Sequence, residues 1–216
     1  MARKKDQQQR RTELRHAAAK AIAARGTTGV TLRDIAQEAK LSPSSILYYY
    51  RDLEQLIVEA MQHGMERFHD RRLEAAERYA DPREKLVATI VRGFPTDGDD
   101  LDVLLLYLGV PVIRRNPAVV GLARSLTGSQ VSLYHSILEV GSARGVFELN
   151  DDTYTIGRNL VALEDAYGLY VISGNADRLG SYVALTVAYA STSTGCDLRP
   201  LADSMSPETL DLQQVR

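Results

Sequence analysis

Residues 31–50, TLRDIAQEAKLSPSSILYYY, decide the fold. They read as two short helices joined by a tight turn. Thr31 offers a hydroxyl to an orphan backbone N–H of the first turn, and Asp34 sits near the positive helix end. Leu32, Ile35, Ala36 and Ala39 recur at spacings of three and four and make one apolar face, with Arg33, Gln37 and Lys40 off it. The turn is Lys40-Leu41-Ser42, with Leu41 plugging the corner. Ser42 is a good N-cap, and Pro43 suits the first helical position, where its missing N–H is no loss. This is the layout of a helix-turn-helix, whose second helix enters the major groove of duplex DNA.

The second helix is predicted to run about two turns. Ile46 and Tyr50 point to the core, while Ser44, Leu47 and Tyr48 share another face. Small hydroxyls at Ser44 and Ser45 allow close approach to phosphates or base edges, and Leu47 suits a thymine methyl. The hydroxyls of Tyr48 and Tyr49 either reach phosphate or belong to ordinary packing; both readings stand. The expected DNA contacts divide between Arg33, Ser44, Ser45, Leu47 and Tyr48 toward bases and Lys40, Ser42 and Tyr49 toward phosphates. Thr31 and Pro43 complete the set at the two helix starts.

Charge is unevenly spread. Residues 1–51 hold eleven Lys/Arg and four Asp/Glu, a net +7, whereas residues 52–216 hold fifteen and twenty-four, a net −9. A charge run is usually just a solvated surface. A basic excess confined to the segment with the helix-turn-helix instead fits a DNA-binding head on an acidic body. Arg3, Lys4, Lys5, Arg10 and Arg11 read as a mobile arm touching backbone or minor groove, its flexible part at 1–9. The 216 residues contain no apolar run of 18, so no transmembrane helix is expected. The N-terminus lacks an apolar export signal, and the single cysteine, Cys196, excludes an internal disulfide. A cytoplasmic protein is expected.

Residues 10–57 resemble the DNA-binding domain of the TetR family of transcriptional regulators. The family pattern runs through a first helix and a glycine, then T-x-x-x-I-A-x-x-A-x-x-S, an aromatic cluster and K-x-x-L. This chain supplies Ala17, Ala18, Ile22 and Gly26, then Thr31, Ile35, Ala36, Ala39, Ser42, Tyr48 to Tyr50 and Leu56. It departs at three places. Lys40 occupies a turn position that is usually glycine, Leu47 replaces a usual tyrosine, and Leu53 replaces a usual lysine.

The remainder shows helical periodicity and no strand alternation. Asp52 caps a long helix to about Tyr79, with Leu53, Leu56, Ile57, Ala60, Met61, Gly64, Met65 and Phe68 on its inner stripe. Pro82 opens another. The apolar stretch 101–110 stops at Pro111, Asn116-Pro117 opens a helix to about Ser142, Asp151 or Asp152 caps one to Ile172, and Asn175 caps the last. The expectation is an all-α protein. It has an N-terminal three-helix helix-turn-helix domain at 10–51, a C-terminal helical bundle for ligand binding and dimerisation at 52–195, and a partly disordered tail at 196–216 with one turn after Ser206.

The last two helices are apolar on more than one side. Leu160, Leu163, Tyr167 and Val171 share one face, and Gly180, Ala184 and Ala188 recur every four residues beside a stripe with Leu185. Helices of this kind need partners on all sides. Either they form a buried monomer core, or Leu160, Leu163, Val171, Gly180, Ala184, Leu185 and Ala188 build a two-fold homodimer seam, which would demand a palindromic operator. The resemblance implies the dimer. It also implies a cavity in the helical body that takes a small-molecule effector. Candidates for its lining are Phe94, Tyr107, Tyr134, His135, Glu164, Tyr167 and Tyr170. Glu164, on an apolar face, must meet a cationic effector, bond tyrosine hydroxyls, or pair with an arginine such as Arg158. His135 is a satisfied bundle histidine or a ligand contact.

His16, His63, His69 and His135 do not fall at metal spacings, and no phosphate loop, dinucleotide fingerprint or nucleophile elbow occurs. No metal or cofactor is expected. The leading expectation is a ligand-responsive transcriptional regulator, a repressor that binds a double-stranded DNA operator as a homodimer. The alternative is an effector-independent DNA-organising protein of low sequence specificity. An enzyme using Glu164 and His135 as an acid/base pair has no further motif behind it.

Overall fold

A computed structural model of the chain describes residues 2–108 and 117–205. Among them the regular elements are all helical: α1 (Ala2–Arg25), α2 (Leu32–Ala39), α3 (Pro43–Leu47), α4 (Leu53–Glu77), α5 (Pro82–Arg92), α6 (Leu101–Leu108), α7 (Pro117–Ala143), α8 (Thr153–Ile172), α9 (Leu179–Thr194) and α10 (Arg199–Ser204). The stop at Pro111, the opening at Asn116 and the turn after Ser206 lie outside the described residues. No described helix is long and apolar enough to cross a membrane.

Two compact units result, Met1–Arg67 with Leu101–Arg124 and Phe68–Asp100 with Ser125–Arg216. The division therefore runs through α4 and α7 rather than at the expected 51/52 boundary. The reason is the first half of α4. Its Leu56, Ile57, Ala60, Met61 and Met65 are buried with Leu14, Ala18, Ile22, Ile35, Ile46 and Tyr50. Gly64 lets Leu105 of α6 come so close that a Cβ would lie 3.1 Å from its Cδ1. Arg67 pairs with Asp102 at 3.2 Å, and the Thr27 hydroxyl donates to the Leu108 carbonyl at 3.0 Å. The N-terminal segment also differs from expectation: residues 2–9, read as a flexible arm, continue α1. Nothing there breaks a helix, since neither glycine nor proline occurs and Gln, Lys and Arg are good helix formers.

The second unit is built around α5. Asp81 caps it by accepting from the Arg83 N–H, Pro82 sits in the first turn, and every residue from Leu86 to Arg92 is buried. A helix apolar on all sides belongs at the centre of a bundle. Val131, Tyr134, Ile137 and Leu138 of α7, Ile156, Leu160 and Val161 of α8, and Val183, Val187 and Ala190 of α9 close around it. Asp152 is the cap of α8, accepting from the N–H groups of Tyr154 and Thr155. Asn175 makes no side-chain cap; a 3₁₀ turn, Ala176–Arg178, intervenes before α9. Its Nδ2 donates instead to the Tyr170 carbonyl at 3.1 Å. Residues 196–205, expected as part of a loose tail, fold back through α10 because Leu198 and Met205 find the core, at 0% and 6% exposure.

Candidate functional site

The helix-turn-helix forms as its caps dictate. Thr31 and Asp34 make a reciprocal capping box at the start of α2. The Thr31 hydroxyl donates to Asp34 Oδ2 at 2.6 Å, so it is committed to the cap. This hydroxyl, followed by the backbone bond and Arg25, holds the Asp34 carboxyl below its usual range. At the other end Lys40 is left-handed, with φ 53° and ψ 44°. The Leu41 N–H reaches the Ala36 carbonyl at 2.9 Å and the Lys40 N–H reaches Gln37 at 3.2 Å. That is a Schellman motif with lysine where glycine is usual. The left-handed residue costs about 1 kcal/mol, offset by the two carbonyls it satisfies.

Ser42 caps α3 by accepting from the Ser45 N–H at 3.1 Å. Its hydroxyl also lies 2.8 Å from those of Ser44 and Ser45, so three hydroxyls cluster at the helix start. Regular α3 geometry stops at Leu47, shorter than the two turns expected, and a turn carries the chain to Tyr50. Ile46 and Tyr50 are buried, whereas Leu47 is 46% and Tyr48 68% exposed. Arg33, Lys40, Pro43 and Ser44 are exposed and Ser45 and Tyr49 half-buried. Tyr48 and Tyr49 meet edge to face, centroids 5.0 Å apart. None of the ten expected DNA contacts is buried, and Leu47 and Tyr48 present an apolar and aromatic surface that the head's own core leaves uncovered.

Arg11 departs from its expected place in a mobile arm. Its Nη1 donates to the Tyr49 carbonyl at 3.1 Å, and its Nη2 pairs with Glu59 of α4 at 2.7 Å.

The effector candidates scatter. In the second unit, Glu164 pairs with Arg72 of α4 at 2.9 Å, not with Arg158. The Tyr134 hydroxyl accepts from Arg72 Nη2 at 2.9 Å and donates to Glu164 Oε1. Gln130 accepts from Arg72 Nη1. The guanidinium lies over the rings of Phe68 and Tyr134, 5.6 and 5.2 Å from their centroids. Burial raises Glu164 to about 7, opposed first by Arg72, and drives Tyr134 well above its ordinary value. Sequence reasoning missed Arg72, although the inner stripe of α4, continued four residues past Phe68, lands on it.

Phe94 is a core residue at 1% exposure. His135 bonds the Thr153 hydroxyl at 2.7 Å and stacks on Tyr154 with centroids 4.1 Å apart, which makes it a satisfied bundle histidine. Tyr167 stacks on Tyr182 at 4.9 Å and meets Tyr170 edge-on. Tyr107 lies on α6, in the first unit. None of the candidates lines either of two surface grooves of about 520 Å³ flanking α7. One is bounded by Thr127, Val131, Tyr154, Arg158, Val161 and Asp165, the other by His69, Leu73, Ser125, Ser129 and Ser136. Of the expected dimer residues, Leu160 and Val171 are 0% and 1% exposed within one chain, and Leu160 belongs to the core cluster around α5. Gly180, Ala184, Leu185 and Ala188 are exposed and Leu163 half-buried.

Capped α2, a left-handed turn and a proline-started α3 on an all-helical chain define a helix-turn-helix protein. Residues 14–60, the head of the chain, match the family described as bacterial regulatory proteins, tetR family. The chain is 30% identical over 116 residues to the HTH-type transcriptional regulator PksA of Bacillus subtilis, covering 54% of this chain and 57% of that one. It is 25% identical over 189 residues to the HTH-type transcriptional repressor NicS of Pseudomonas putida, 82% of each. The chain spans about half the length of PksA and of two further curated relatives that it matches. A crystal structure of a putative transcriptional regulator from Saccharomonospora viridis in complex with choline shares the fold, with TM-score 0.74, 24% identity and coverage of 82% and 95%.

Proposed function

We propose that the chain is a ligand-responsive transcriptional repressor that binds a palindromic operator as a homodimer and is released by a small molecule. The observation that carries the reading is the face of α3: Leu47 and Tyr48 stand exposed beside the Ser42, Ser44 and Ser45 hydroxyls on the basic end of the chain. The family match and the repressor relative support it. The exposed small and apolar residues of α8 and α9, Ala162, Ala166, Leu169 and Tyr170 with Gly180, Ala184, Leu185 and Ala188, supply a self-complementary seam for the two-fold partner.

For the effector, the second unit offers an amphipathic groove between α7 and α8, of a size that suits small ligands. The choline bound to the Saccharomonospora protein supports a small-molecule effector in kind, but here the buried carboxylate of Glu164 already has a cation, Arg72. The experiment is selection of duplexes from a randomised library by the full chain. An enriched inverted repeat supports the reading. A pool that stays random while binding falls steeply with salt supports the DNA-organising alternative.

A further inference from the structure

A five-residue helix cannot hold itself in place; its orientation comes from what grips its ends. The entry of α3 is fixed by the Ser42 cap and Pro43. Its exit is gripped from α1. Arg11 Nη1 donates to the Tyr49 carbonyl at 3.1 Å, in the turn just past the end of α3. Arg11 Nη2 pairs with Glu59 Oε1 at 2.7 Å, and Gln55 Nε2 braces the same oxygen at 3.2 Å. The guanidinium lies 4.6 Å from the centroid of the Tyr50 ring. In return the Tyr50 hydroxyl donates to the main-chain carbonyl of Arg11 at 3.2 Å. Three segments, α1, the exit of α3 and the start of α4, therefore meet at one side chain.

We propose that Arg11 is the positioning residue of the DNA-reading helix: held by Glu59, it fixes the Tyr49 carbonyl and with it the angle at which Leu47 and Tyr48 meet the groove. This rests on the reading of α3 as the DNA-reading element. Arg11 is not a phosphate ligand in this role. Its charge is matched by Glu59, and leaving that carboxylate for a phosphate would release the exit of α3. Base contacts need the right geometry, whereas the backbone field acts on any sequence. The Arg11 grip should therefore matter to specific binding alone.

The test uses the full chain, a duplex enriched by selection with the wild type, and a random duplex of equal length, each titrated at several salt concentrations. Arg11→Ala and Glu59→Ala are each expected to weaken binding to the selected duplex about tenfold or more, while affinity for the random duplex and the salt slope stay at wild-type values. Glu59→Ala is the sharper arm. It removes a negative charge, so a phosphate-binding Arg11 would make it bind both duplexes more tightly. Tighter binding by Glu59→Ala, equal loss on both duplexes with Arg11→Ala and a slope lower by about one, or no change in either variant would each overturn the proposal. Should Arg11→Ala unfold the head, Glu59→Ala decides. A wild type that enriches no sequence would instead defeat the reading of α3 itself, and the positioning role with it.

Discussion

Arg72 of α4 and Glu164 of α8 form an ion pair 2.9 Å long, with side chains 0% and 2% exposed. Removing one partner leaves the other charge buried and unmatched, so Arg72→Met should cost about 3–5 kcal/mol, while Arg72→Met combined with Glu164→Leu should recover much of that. Chemical denaturation of the two variants checks it; a double variant no better than the single contradicts the pairing.

The same pair makes stability depend on pH. Glu164 is raised from an ordinary 4.5 to about 7, so between those values the folded state holds the proton that the unfolded state releases. Its contribution is greatest at low pH and is lost as pH rises through that window. From pH 5 to pH 8 the wild type should lose unfolding free energy relative to Glu164→Gln, whose amide does not titrate. A constant difference across that range would count against the raised value.

Gly93, at the end of α5, lies against the Glu164 carboxylate, and a Cβ there would come within 2.6 Å of Oε2. Its φ of −75° is ordinary, so space and not conformation demands glycine. Gly93→Ala should destabilise by about 1–3 kcal/mol through overpacking, read as a lower Tm; an unchanged Tm would show that the carboxylate moves freely.

Arg33 is exposed on α2. As a base-reading residue, Arg33→Ala should weaken binding to the enriched duplex by about 1–3 kcal/mol and leave random duplex nearly unaffected. Equal loss on both would make Arg33 a phosphate contact.

Leu169 and Leu185 are 43% and 53% exposed in the single chain. Introducing Leu169→Glu with Leu185→Glu places like charges in the proposed seam, and light scattering at micromolar concentration should then report monomer where the wild type reports dimer. A wild-type monomer would remove the seam.

The sequence made the head legible because its signals are local. The caps at Thr31, Ser42 and Asp52 and the proline at 43 act within one turn, and the structure places each as expected. Lys40 was marked by its departure from glycine and is the one non-glycine at positive φ among the described residues. What the sequence hid is long-range. Arg72 and Glu164 are 92 positions apart, and no spacing rule joins them. Leu160 looks the same on a helical wheel whether it faces α5 or a second copy; only the packing of α5 decides. The Arg11 grip was hidden likewise, because a basic run near a terminus reads as a solvated arm until Glu59 is brought beside it.

Sequence-specific binding by a two-fold dimer is tested by titrating the wild type, at one salt concentration, against the enriched inverted repeat and against the same duplex with both half-sites scrambled. The expectation is two chains per repeat and binding at least about 10³-fold tighter to the intact sequence. Equal affinity for the two duplexes, or one chain bound per intact repeat, would contradict it.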